Sequence, residues 1–225
     1  MKSLLPRAGR FACASATLLG CAMTLSACSS DHNEWPALFE AARSYWTQSD
    51  TGVTLNQAGS IPYATLGVRL NGDQEHMMVL ATDVDGDQLW VSPQLALKTH
   101  NGRIASTSGL VTDLATHFGR SGPIEDWRVR HSYAWLGDFP DLGVFSVQVT
   151  CSVVPEGPDP VEILGKQIAT FRVDEACSAP ALGWNFTNRY WISESTGLVW
   201  KSVQHPHPKG PEIALEILRP PLSYQ

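Results

Sequence analysis

The sequence predicts an all-β protein, mainly antiparallel, built as a barrel-like or strongly curved sheet with an N-terminal amphipathic helix and one short internal helix. Three observations carry that expectation. From Ile61 onward apolar and polar residues alternate with period two. Turn dipeptides, Asn71-Gly72, Asp85-Gly86 and Asn101-Gly102, separate successive runs. Roughly ten or more short strands at regular spacing with hairpin turns indicate an antiparallel barrel or strongly curved sheet.

The first residues stand outside that fold. Lys2, Arg7 and Arg10 precede an apolar stretch, Phe11 to Leu25, with no acidic residue before Asp31. A positive start, a short apolar run and small residues before a cleavage point make a secretory signal over 1–27. Fifteen residues are too few to cross a hydrocarbon core, which takes about 20. The run ends Leu25-Ser26-Ala27-Cys28, with Ser29-Ser30-Asp31 behind it. That resembles the lipobox of bacterial lipoproteins, in which the cysteine is acylated and becomes the first residue. The resemblance implies a covalent lipid on Cys28, and Ser29 in place of Asp implies the outer membrane. Several acyl chains on one residue hold far better than the single chain that binds marginally.

Residues 28–33 read as a polar tether and 34–225 as a single β-rich domain, undivided by any composition break. Within it Trp35, Leu38, Phe39, Ala42 and Tyr45-Trp46 recur at three and four residues, with Pro36 in the first turn. They predict a helix over about 34–47, packed on the domain. Alternation at Ala64–Leu70 gives the first strand. His76–Ala81, Gln88–Ser92, Leu95–His100 and Arg103–Thr107 follow, and a short helix is expected over Gly109–Phe118, where Leu110 and Leu114 stand four apart. Strands resume at 127–136, 143–153, 161–173, 184–193, 198–204 and 212–218. Pro155–Pro160 and Glu194–Gly197 read as links.

Removing 1–27 takes away three cations and no anion, so the net charge moves from −6 to −9 over 198 residues. Nucleic acid is excluded as a partner, because phosphate binding needs a basic field. Of five cysteines, Cys28, Cys151 and Cys177 remain. With Cys28 acylated, an oxidising compartment favours a Cys151–Cys177 disulfide, two buried free thiols being the alternative.

Catalytic and metal motifs are sought with little return. Gly-x-Ser-x-Gly, His-Glu-x-x-His and a phosphate-binding glycine loop do not occur. Asp83-Val84-Asp85-Gly86-Asp87 has its glycine two places early for a calcium loop, and Gln94 stands where a bidentate Glu belongs. His205-Pro206-His207 reads as surface loop. No metal site and no cofactor beyond the lipid is expected. The strand over 184–193 is more informative. Trp184, Phe186, Tyr190 and Ile192 share one face; Asn185, Thr187, Arg189, Trp191 and Ser193 share the other. An aromatic ring beside amide and guanidinium groups suits a sugar or a protein partner, which makes Asn185, Arg189 and Trp191 the candidate surface. The alternative is a Trp covered by the N-terminal helix or a loop.

Several segments together resemble a known family. They are Tyr63-Ala64, Val79-Leu80-Ala81, Leu89-Trp90-Val91-Ser92, Asn101-Gly102-Arg103-Ile104 and Thr107-Ser108-Gly109-Leu110. Asn188-Arg189-Tyr190-Trp191, Thr196–Ser202 and Ile217-Leu218-Arg219-Pro220 follow in order. Behind a lipobox, this set is similar to the YjbF/GfcB lipoproteins linked to capsule and exopolysaccharide production. The resemblance implies a mostly β domain lipid-anchored on the periplasmic face of the outer membrane. It also implies two partners, a periplasmic polysaccharide-export protein and a large outer-membrane β-barrel; it supplies no catalytic residue. The expectation is a non-enzymatic lipoprotein assisting export or assembly of capsule or exopolysaccharide, contacting an export partner or the polysaccharide itself. A lipid or lipoprotein carrier with an apolar cavity and a polysaccharide-modifying enzyme are the rival readings, the latter resting on carboxylates that the sequence does not pair.

Overall fold

The structure is a computed structural model and describes residues 55–73, 75–117 and 127–224. The expected signal peptide (1–27), tether (28–33), lipid-bearing Cys28 and helix over 34–47 lie outside the described residues. A six-residue helix, Leu55–Ser60, leads into the first strand.

Among the described residues, twelve strands form one large antiparallel sheet. They are β1 (Thr65–Leu70), β2 (His76–Val84), β3 (Asp87–Val91), β4 (Ala96–His100), β5 (Arg103–Ser108), β6 (Ala115–His117), β7 (His131–Phe139), β8 (Val144–Pro158), β11 (Phe171–Ala179), β12 (Trp184–Ile192), β13 (Val199–Gln204) and β14 (Ile213–Arg219). β9 (Val161–Ile163) and β10 (Lys166–Ile168) make a separate hairpin. The mainly antiparallel expectation holds. The pairing is cyclic, because β1 is bonded to β2 on one edge and to β14 on the other. The ring is thinnest between β5 and β6, where the register consists of the single pair Ser106–Ala115.

The turn dipeptides act as expected. Asn71-Gly72, Asp85-Gly86 and Asn101-Gly102 all take positive φ at both positions, which matches the twist of the flanking strands. The close packing of Gly102 also requires glycine, since a Cβ there would lie 2.6 Å from Val199 Cβ. Alternation turns one side of each strand inward. Trp90, Leu97, Met78, Phe139, Val149, Ile213 and their neighbours form the main core. A second cluster gathers Trp127, Val153, Val173, Tyr190 and Ile192.

Three expectations are corrected. Of the helix expected over Gly109–Phe118, the described part, 109–117, is not helical. Asp113 Oδ2 accepts from the Gly109 N–H, and Oδ1 accepts from the Leu110 N–H and the Thr107 hydroxyl. The carboxylate thus takes backbone donors into a turn, and Ala115–His117 then pairs with β7. The run over 161–173 is broken by Leu164-Gly165, both at positive φ, into β9, β10 and the start of β11. Finally, the proline-rich link at 155–160 is largely strand, because β8 continues through Pro158 along β11, accommodated by a register shift at Arg172/Val173.

The structure also contains a duplicated device that the sequence reading missed. The β7–β8 and β11–β12 connections are both Pro-x-Leu-Gly turns of 3-10 helix, Pro140–Leu142 and Pro180–Leu182. Each ends on a left-handed glycine whose N–H bonds the proline carbonyl.

Candidate functional site

Along β11 the inward positions are Val173, Glu175, Cys177 and Ala179. A carboxylate in such a row, here 1% exposed, needs partners, since an unpaired buried charge is very costly. Arg103, the first residue of β5 beyond the Asn101-Gly102 turn, reaches across the interior and pairs with Glu175 Oε1. The Tyr133 hydroxyl from β7 donates to the same oxygen at 3.2 Å. Tyr190 from β12 donates to Oε2 at 3.1 Å, and the Asn188 amide lies 3.4 Å from it. Arg103 also lies over the Tyr133 ring, 4.8 Å from its centre. Gln204 from β13 completes the arrangement, accepting the Ile104 N–H at 2.8 Å and donating to the Gly102 carbonyl at 2.8 Å. The β4–β5 hairpin is therefore tied to the opposite wall by side chains where its own link to β6 is one residue pair.

Burial pushes both phenols well above the ordinary tyrosine range, and the Glu175 carboxylate adds to that, while Arg103 opposes it. Burial disfavours the charged Arg103, but Glu175 together with Tyr190 and Tyr133 outweighs it and leaves the guanidinium more firmly protonated than usual. Four side chains share the lone pairs of Glu175, which leaves it poorly placed as a general base.

One row along this inner face, Cys151 and Cys177 stand directly opposite across β8 and β11 and form a disulfide, with Cα atoms 4.0 Å apart. Their sulfurs and the Glu175 carboxylate lie within 4.8 Å of one another. Bonded to each other, the sulfurs are not thiolate ligands.

The candidate surface lies on the opposite face. Asn185 and Arg189 are exposed, and Trp191 is half-buried. The Trp191 indole donates to Asp159 Oδ2 at 2.9 Å, so the β8–β9 connection partly covers the ring. In register, Trp191 stands between Arg172 and Lys201, and Lys201 Nζ is 5.7 Å from the ring centre. Charges around it are paired: Arg172 with Asp174 at 2.8 Å, and Lys201 with Glu216 at 2.7 Å. Asn185 lies apart from this belt, four residue pairs beyond the Asp174–Arg189 row.

Beyond that row the exposed outer positions of β7, β8, β11 and β12 carry no charged side chain; Asp138 of β7, 7% exposed, is turned in to the Ser146 N–H at the end of this face. Its rows run Ser132–Ser152–Ala176–Thr187 and Ala134–Thr150–Ser178–Asn185, with Leu136 paired to Gln148.

The remaining motifs disperse. Asp87 bonds His100 at 2.8 Å and Lys98 at 3.4 Å. Burial alone would raise the Asp87 carboxyl, but these neighbours hold it below its ordinary value. His205 faces Glu212 and the buried His207 faces Asp141, so the two rings serve different partners.

Sequence reasoning missed Arg103, Glu175, Tyr133, Tyr190 and Gln204 as a group. One signal was present: a Glu spaced by two from Val173 and Cys177 sits in a core row and demands a cation. Nothing local names Arg103, 72 residues away, as that cation.

Comparison with known proteins gives concordant findings. Residues 35–218 match the family model described as group 4 capsule polysaccharide lipoprotein gfcB, YjbF. The chain is 25% identical over 191 residues to lipoprotein GfcB of Escherichia coli K12, covering 81% of this chain and 87% of the relative. It is 28% identical over 210 residues to lipoprotein YjbF of the same strain, with the same coverage. The crystal structure of the hypothetical lipoprotein YmcC from E. coli K12 superposes with a TM-score of 0.66 at 22% identity, over 79% of this chain and 93% of that one. That likeness supports the fold.

Proposed function

Because the chain belongs to the YjbF family of group 4 capsule polysaccharide lipoproteins, we propose that it is a non-enzymatic lipoprotein on the periplasmic face of the outer membrane. It assists export or assembly of capsule or exopolysaccharide by docking an outer-membrane β-barrel or a periplasmic export partner. The observation that carries the reading is the family match over 35–218, which begins just behind the lipobox ending at Cys28. The acyl chains on Cys28 hold the domain at the membrane, and the cyclic pairing favours a barrel-like body that presents its outer face to partners. Glu175, the most deeply buried carboxylate among the described residues, is occupied by Arg103, two tyrosines and Asn188, which weighs against a glycosidase-type pair there. The same buried ion pair makes the interior a poor host for an acyl chain. A cavity lined by Trp90, Asn101, Trp200 and Tyr224 has about 20 Å³ free, room for about one water.

The test is photocrosslinking in cells from Asn185, Arg189 and Trp191. Recovery of an export component from these positions supports the reading. Recovery of none, with normal capsule or exopolysaccharide after deletion, refutes it.

A further inference from the structure

We infer that the uncharged outer face of β7, β8, β11 and β12 is a platform for a neutral, hydroxyl-rich segment of the exported glycan. The inference rests on the capsule reading above and adds a ligand to it. Two independent features carry it: a built aromatic and a charge-free array.

The aromatic is Phe145. Inward positions of β8 run Val147, Val149, Cys151 and Val153, and strict alternation carried back would turn Phe145 into the core. It is instead 62% exposed. The cause is a bulge. Gly137 pairs with Val147 and Phe139 with Val144, so Asp138 alone stands against Phe145 and Ser146. Ser146 takes a left-handed φ of 54°, unfavourable for serine, and Asp138, 7% exposed, accepts its N–H at 2.7 Å. A strained residue held by a buried carboxylate is a specified feature, and bulges commonly re-aim a side chain at a binding surface.

The array continues from that ring. Leu136, Gln148, Thr150, Ser178 and Asn185 offer amides, hydroxyls and short apolar surface. Neighbouring strands stand about 4.8 Å apart, close to the length of one pyranose unit. A glycan lying across the strands therefore meets one side chain per sugar, with Phe145 to stack on a ring face. The lack of charge matters in a mature chain of net charge −9: carboxylates here would repel an acidic polymer and hold water against a neutral one.

The test uses the full mature chain with Cys28→Ser to keep it soluble, and oligosaccharides cut from the producing strain's own extracellular polysaccharide. Affinity is read by titration, and amide chemical shifts locate the contact. The expected result is shifts centred on β8, β11 and β12, about tenfold weaker binding for Phe145→Ala and loss of binding for Thr150→Lys, whose melting temperature reports that it is folded. Three results overturn the inference: no binding by the unaltered chain, binding that both variants retain, or self-association through this face, abolished by Thr150→Lys, without glycan binding. If crosslinking from Trp191 still captures an export component in the last three cases, the docking function stands and only the platform falls.

Discussion

Replacing Glu175 by leucine tests whether the cross-interior pair behaves as a buried charge. Leucine matches the volume but leaves Arg103, 11% exposed at its side chain, without a counter-charge, and removes an acceptor from the Tyr133 and Tyr190 hydroxyls. Tyr190 is fully buried and keeps only Gln204, at 3.4 Å. Breaking a buried pair from one side costs about 3–5 kcal/mol, a large part of the roughly 5–15 kcal/mol typical of a domain. Replacing both partners, Arg103→Met with Glu175→Leu, removes the stranded charge and brings stability back to within about 2 kcal/mol of the natural chain. Urea unfolding followed by tryptophan fluorescence with the disulfide intact measures each term, provided the slope against urea is unchanged. A single variant costing under about 1 kcal/mol would mean that the guanidinium reaches water. A double variant as weak as the single would mean that the loss is packing and not charge. Either result refutes the buried-pair account.

Alkaline pH should destabilise the fold through the two phenols. The unfolded chain releases their protons near the ordinary value of about 10 while the folded chain retains them. Stability is therefore fully present below that pH and falls above it by up to about 1.4 kcal/mol per pH unit for each tyrosine; Tyr133→Phe should remove one tyrosine's share, and an unchanged slope rejects the assignment. Reducing the disulfide, with its sequence separation of 26, should cost roughly 3.5 kcal/mol on loop entropy, read as a lower urea midpoint with and without reductant. Gly102→Ala meets Val199 and a φ of 81°, and should cost about 1–3 kcal/mol; a neutral result means the hairpin tip relaxes away from β13. Cys28→Ser should abolish incorporation of labelled palmitate and release the protein from membranes, and retained labelling would move the lipid elsewhere.

What was legible in the sequence follows the range of the forces involved. Asn71-Gly72, Asp85-Gly86 and Asn101-Gly102 announce hairpins because left-handed backbone is a local property. The faces of β12 follow from period two, and Trp184, Phe186, Tyr190 and Ile192 do turn inward. The failures lie where a distant or competing contact decides. Asp113 diverts the 109–117 segment from helix by capturing N–H groups that helix propensity treats as its own. Ser146 breaks alternation with one extra residue, so Phe145 faces water against its parity. At Trp191 the two alternatives, an open contact surface and a ring covered by a loop, are not separated by local pattern, because the partner of its indole N–H is Asp159, 32 positions away. The Arg103–Glu175 pair joins strands that share no ladder, and only the closed order of the sheet brings them opposite.

That closure also decides where recognition can occur. The interior is crossed by an ion pair, braced by a disulfide one row along and packed with the buried side chains of Trp90, Phe139 and Tyr190. Admitting a ligand there would mean breaking the Arg103–Glu175 pair and exposing the core rows beside it, at the several kcal/mol worked above. The outer face needs no such rearrangement. Its paired charges around Trp191 and its neutral rows toward Phe145 are already in place, and they differ in chemistry. The charged belt suits a protein partner that can complement Arg189 and Asp174, whereas the neutral rows suit a polymer of hydroxyl groups. Two neighbouring surfaces of different character on one domain would let it hold an export partner and a passing glycan side by side without either occupying the other's site.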